Sequence, residues 1–214
     1  MAIKSLCISE IVRKNYKIVL IALAITISTQ NTTDASTEAA SHFIHDLGHE
    51  ALTILSSKDG TLDQREELFR NLLGDSFDLP FIARFTLGRH WRRASPTQKS
   101  IFQEVFGKYV LRTYSIRFGG YAGETMDIIS AQTAGKKDIL VHTRINRPKG
   151  SKIDAHWRVR SAGSQFRIID VMVEGISMAV TQRDEFAAVI QSRGVASLIK
   201  MLRARTEKMT ATAR

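Results

Sequence analysis

The spacing of apolar residues divides the chain into helical and extended stretches. From Ser41 to Ser57, Ile44, Leu47, Ala51 and Leu55 recur at helical spacing and predict a helix. Thr61-Leu62-Asp63-Gln64 has the form of a capping box, in which Thr accepts from a free N–H of the first turn and Gln reaches back. It predicts a second helix through Leu68, Phe69, Leu72 and Leu73, stopped at Gly74. Residues 77–87 predict a short apolar helix with Pro80 near its start. Ser95-Pro96-Thr97-Gln98 is a second capping box, with Pro at the first helical position. The long helix it opens carries Phe102, Phe106, Tyr109, Val110 and Thr113 on one face and ends at Gly119-Gly120.

The period then falls to two. Residues 125–133, 138–146, 151–160 and 165–174 read as four strands. In the third, Ile153, Ala155, Trp157 and Val159 alternate with Asp154, His156, Arg158 and Arg160, giving one dry and one wet face. The turns between strands centre on Lys136, Lys149 and Gly163 and are short, so neighbouring strands run antiparallel. Two more helices, 183–192 and 195–205, close the chain around Gly194. The order predicts an α+β fold, a curved four-stranded antiparallel sheet with helices packed on one face. Phe81, Phe85, Trp91, Phe102, Phe106, Tyr109 and Tyr114 crowd the helical part. They fill a core or line an apolar cavity, and periodicity does not separate these outcomes, because both need the same apolar faces.

The N-terminal residues fall outside this pattern. Lys4, Arg13, Lys14 and Lys17 precede ten uncharged residues, 18–27, and then a stretch rich in Ser, Thr and Ala. That is the layout of a secretory signal peptide. The apolar run is shorter than the ~20 residues a membrane-crossing helix needs; a short anchor is the rival reading. The expected cut follows Ala35, with Ala39 or Ala40 as alternatives, leaving residues 36–214 as one domain. No cysteine follows the apolar run, which argues against a lipoprotein anchor, and the single cysteine, Cys7, lies in the leader. A domain without thiols suits an oxidising compartment. The whole chain carries +10; without the leader 27 basic residues face 19 acidic ones, or +8. The densest basic cluster is Arg89-His90-Trp91-Arg92-Arg93. No nucleic-acid module signature accompanies it. Such a surface suits anionic lipid headgroups or an acidic partner.

Catalytic motifs are scarce. No phosphate-binding glycine loop, Gly-x-Ser-x-Gly elbow or His-Glu-x-x-His sequence occurs. His42, His45 and His49 lie one helical turn apart with Asp46 and Glu50 nearby. A zinc site needs three or four convergent, supported ligands, so these residues read as a solvated helix face, and no metal or cofactor is expected. Asp170, between Ile169 and Val171, is the most suggestive acid. As a base it would need a partner acid, base or nucleophile, and none is evident; the expected role is to bond an arginine or backbone N–H groups.

Several blocks together resemble a known family. FDLPFIARFTLGRHWR at 77–92, SPTQKSIF at 95–102, DVMVEGIS at 170–177, RDEF at 183–186 and GVASLIKML at 194–202 are similar, in order, to blocks of the MlaC family, the toluene-tolerance auxiliary component of an ABC transporter. Gln182 and His90 stand where that family usually has aromatic residues. The resemblance implies a twisted antiparallel sheet and helices enclosing an elongated apolar pocket. It also implies a periplasmic phospholipid carrier working between an outer-membrane lipoprotein complex and an inner-membrane ABC transporter complex. Some members accompany hopanoid genes, so a hopanoid cargo is an alternative, as are an envelope scaffold without cargo and an enzyme using Asp170. The expected cavity lining is Phe81, Ile82, Phe85, Phe102, Phe106, Tyr109, Val110, Ile139, Val141, Trp157, Val159, Val171 and Val173. Arg89, Arg92 and Arg93 are expected to meet headgroup or partner. Asp170, Glu174, Gly175 and Ser177 are expected to hold the junction between sheet and helix, with Gly175 supplying a backbone angle other residues resist.

Overall fold

The structure, a computed structural model, describes residues 31–57, 59–118, 123–163 and 165–212. Of the expected signal peptide, 1–35, residues 1–30 lie outside the described residues, as does the expected helix stop at 119–120. Contacts divide the chain into residues 1–36 and a second compact unit, 37–214. Helix α1 (Asn31–Ser56) is longer than the predicted segment. Helix α2 (Leu62–Ser76) begins at the predicted capping box: Gln64 N–H donates to Thr61 Oγ1 at 3.2 Å, and Thr61 N–H to Gln64 Oε1 at 2.8 Å. It does not stop at Gly74. That glycine keeps a helical φ and lies against the helix Pro96–Phe118, with a Leu111 methyl 3.8 Å from where its Cβ would be. The helix ends when Phe77 turns extended and bridges to Ile168.

Helix α3 (Leu79–Leu87) is capped by Asp78, whose carboxylate accepts from Phe81 N–H at 3.0 Å. A single turn, α4 (His90–Arg93), leads to α5 (Pro96–Phe118), opened by the reciprocal Ser95–Gln98 box. Strands β1 (Thr125–Ala134), β2 (Asp138–Asn146), β3 (Ile153–Ala162) and β4 (Gln165–Val173) follow the predicted order. A fifth strand, β5 (Ile176–Ser177), corrects the count of four. Glu174 (φ 49°) and Gly175 (φ 78°) turn the chain back tightly, so Ile176 pairs with Val173. Two left-handed residues in succession suit the twist of a hairpin, and Gly175 meets the expectation made of it. All pairs are antiparallel in the order β1-β2-β3-β4-β5, with bulges between Ile128 and Ser130 and opposite Arg158–Val159. Helix α6 (Met178–Thr212) is two helices joined at Gly194 (φ 78°, ψ 169°), as the sequence predicts.

The apolar residues collect in two clusters. One is helical, drawn from α3, α5 and α6 around Phe102, Phe106, Phe186, Leu198 and Leu202. The other joins Ala40, Ile44 and Leu47 of α1 to Ile139, Val141, Val159 and Ile168 of the sheet. Phe77 packs against both.

Candidate functional site

Strand alternation sends one set of side chains toward α1. Across the sheet this dry face forms rows set by the register. Ile139, Val159 and Ile168 make one row, Ala131, Val141, Trp157 and Val171 the next, then Ile128, Thr143, Ala155 and Val173, and finally Met126, Ile145 and Ile153. The first row is buried and the last is half-buried throughout. Trp157 donates its indole N–H to Thr143 Oγ1 at 2.9 Å, so its only polar atom is satisfied inside the apolar surface. Phe43 of α1 meets Phe166 of β4 with ring centroids 6.0 Å apart. Phe43, Met126, Ile128, Trp157, Phe166 and Val171 all remain half-buried beside the sealed residues. A seam of large apolar groups between a helix and a sheet, incompletely covered, is a surface that an apolar ligand can finish covering.

The helical cluster is different in kind. Phe102 and Phe106 stack at 5.8 Å, and Phe186 meets both edge-on at 6.0 and 6.2 Å. These rings are 0%, 1% and 1% exposed. The expected cavity residues therefore separate. Ile82, Phe102 and Phe106 are buried in the helical cluster, with Phe81, Phe85, Tyr109 and Val110 half-buried against it. Ile139, Val141 and Val159 are buried in the sheet cluster, with Trp157 and Val171 half-buried against it. Val173 is half-buried and belongs to neither. Helical spacing shows which face of α5 is apolar but not what meets it, and what meets it is α6.

The other face of the sheet is the wet face expected of β3, and it brings those residues together with Asp138 and His142, which sequence reasoning passed over. Asp138, only 4% exposed, accepts from Arg158 Nε at 2.8 Å and Arg160 Nε at 2.6 Å. Burial pushes its carboxyl upward, but the two guanidiniums outweigh that and hold it below the usual range. Arg160 also lies over the Phe81 ring at 4.7 Å. His142 and His156 stack with centroids 4.2 Å apart and planes within 3°. Among the described residues the buried His142 Nε2 and His156 Nδ1 have no hydrogen-bond partner, and His142 Nε2 lies 3.6 Å from Asp154 Oδ1. Burial, then the neighbouring His142, lowers the His156 pKa, and Asp154 opposes them. The bond from Arg144 Nε, at 2.9 Å, leads the lowering of the Asp154 pKa. The signal for this pair was present: a turn centred on Lys149 places residue 142 opposite 156.

The junction residues take the structural role expected of them. Asp170 Oδ2 accepts from the Ser177 hydroxyl at 2.6 Å, and Oδ1 accepts from Ala179 N–H at 3.0 Å. Both carboxylate oxygens thus serve the first turn of α6. Glu174 accepts from Asp154 N–H at 2.9 Å. Arg89, Arg92 and Arg93 are exposed, on or beside α4, which packs against α3 and α6. They belong to the helical region rather than to the seam. His45 and His49 stack at 6.5 Å on the exposed face of α1. Among the described residues no group of three or more His, Cys, Asp or Glu stands ready to hold a metal ion, and no helix is long and apolar enough to cross a membrane.

Comparison with known proteins agrees with this architecture. A phospholipid-binding protein from Ralstonia solanacearum, solved in complex with a phospholipid, superposes with a TM-score of 0.70 at 23% identity, over 80% of this chain and 98% of that one. At that identity the likeness is one of fold. Toluene tolerance protein ttg2D of Pseudomonas putida is 22% identical over 129 residues, and the match spans 60% of each chain. Residues 46–204 match the profile of the MlaC protein family. With most of its length inside that profile, the chain belongs to the MlaC family.

Proposed function

We propose that this protein is a periplasmic carrier that holds phospholipid acyl chains in the seam between α1 and the dry face of the sheet. It moves them between outer-membrane and inner-membrane transport complexes and catalyses no reaction. The observation that carries the reading is the half-burial of Phe43, Met126, Ile128, Trp157, Phe166 and Val171 around a sealed apolar floor. An acyl chain laid there gains about 0.8 kcal/mol for each CH₂ it buries. Family membership supports the cargo class, as does the phospholipid bound by the similarly folded Ralstonia protein. Both oxygens of Asp170 are engaged in holding α6, which supports a carrier over an enzyme. Residues 1–35 act as the cleaved export signal in this reading, and the compact unit that begins at Thr37 supports a cut after Ala35. The exposed Arg89, Arg92 and Arg93 meet the docking complexes or the lipid headgroup.

The test is to express the full chain, purify the product from the periplasm without detergent, and measure its native mass and N-terminal residue. The expected result is a chain beginning near Ser36 that carries a species of phospholipid mass, released on denaturation. A hopanoid mass would change the cargo. A chain that is empty, and stays empty after incubation with phospholipid vesicles, overturns the carrier.

A further inference from the structure

A glycine inside a helix weakens it relative to alanine, so Gly48 in the middle of α1 calls for a reason. Gly48 is buried, and the methyl carbon of Met126 lies 2.0 Å from where a Cβ on Gly48 would stand. Its sulfur is 3.1 Å from the same point. The thioether end of Met126 therefore occupies a notch that glycine leaves open, and a side chain at 48 would displace its methyl group. Met126 lies on β1, one edge strand of the sheet, in the half-buried last row with Ile145 and Ile153. Burial along the dry face falls from the row of Ile139, Val159 and Ile168 to this row. The seam is half-covered at two ends, one at Phe43 and Phe166 and one at the corner where Met126 bridges from sheet to helix; at the second, a mouth between β1 and α1, a side chain of the sheet enters a gap in the helix. Methionine is unbranched with three rotatable bonds, so its side chain can leave such a notch without movement of the backbone, at the cost of the apolar contact it gives up there.

From this geometry we infer that Met126 and Gly48 form a latch across the mouth of the seam, and that the rate at which lipid enters and leaves is set by the release of this thioether. The inference rests on the carrier reading and adds the residue that governs exchange. Ile145 and Ile153, branched and held in the sheet, form the fixed side of the mouth; Met126 is its moving part.

The test follows uptake of a self-quenched fluorescent phospholipid from phosphatidylcholine vesicles by the exported full-chain product. Wild type is compared with Met126→Ala, Gly48→Ala and the double variant, each checked for an unchanged circular dichroism spectrum. Met126→Ala removes the latch, and Gly48→Ala keeps the thioether but fills its notch. The expected result is that each single variant takes up lipid several-fold faster than wild type and that the double variant is no faster than Met126→Ala alone. Uptake by wild type together with an unchanged rate in Met126→Ala overturns the latch and leaves the carrier reading standing. So do single effects that add fully in the double variant. If Gly48→Ala does not fold, Met126→Ala alone decides, since it alters an edge-strand side chain. A wild-type protein that takes up no lipid overturns the carrier reading and the latch with it.

Discussion

Phe102, Phe106 and Phe186 are chemically like Phe43, Phe166 and Trp157, yet the structure treats the two groups oppositely. The first group is sealed among helices, with ring edges against ring faces at about 6 Å. The second lies between one helix and the sheet, Phe43 on α1 and Trp157 and Phe166 on β3 and β4, and stays half-covered. Sealed area stabilises the fold at roughly 25 cal/mol per Å², whereas half-covered area keeps that free energy available to whatever covers it. The helical cluster thus serves stability and the seam serves binding. Aromatic content alone would not distinguish them.

The sharpest way to break this comparison is to truncate one ring from each region. Phe106→Ala removes a fully buried ring and should cost about 3–5 kcal/mol, read as a lower urea midpoint, while folded protein retains its lipid. Phe43→Ala removes a half-buried ring from the seam and should cost about 1–2 kcal/mol. Its larger effect should be on lipid occupancy by native mass spectrometry. Equal stability losses with unchanged occupancy in both variants would remove the distinction.

Smaller effects sharpen the assignment of the polar groups. Asp170→Ala removes the acceptor at the start of α6 and should cost about 1 kcal/mol with lipid occupancy unchanged. Lost occupancy in a protein that still folds would move Asp170 into the binding site. The smallest effect concerns His156, whose folded pKa lies below its ordinary value. As pH falls through about 6.5 the unfolded chain takes up the proton first, so this contribution to stability is complete above that pH and is lost as pH falls toward the folded value. Urea midpoints at about pH 7.5 and pH 5.5 should therefore differ less in His156→Gln than in wild type. An equal difference in both proteins would assign the acid sensitivity elsewhere.

Much of this architecture is legible in the residues. Both capping boxes form as their side chains dictate, at Thr61 and at Ser95. The alternation from Ile153 to Arg160 gives the wet and dry faces of β3, and Gly194 breaks α6. Gly74 misleads because a glycine ends a helix only where it adopts a positive φ, and here its small size instead admits α5. β5 is hidden because two residues are too few for a period to show. The division of the expected lining between two clusters is a tertiary fact: spacing identifies the apolar face of α5 but cannot tell α6 from a ligand as its partner. Gly48 is visible in the sequence as an oddity within a helix, but the reason for it sits on a strand 78 residues later.

The Asp170 carboxylate has a further consequence. It stands on β4 and holds the first turn of α6, while Phe77 pairs with Ile168 of the same strand and packs into both apolar clusters. β4 is therefore shared by the region that stabilises and the region that binds. Melting either one strips partners from the other, so the two should unfold in a single cooperative transition. Cargo that covers the seam should then raise the melting temperature of the distant helical core by as much as that of the sheet it touches.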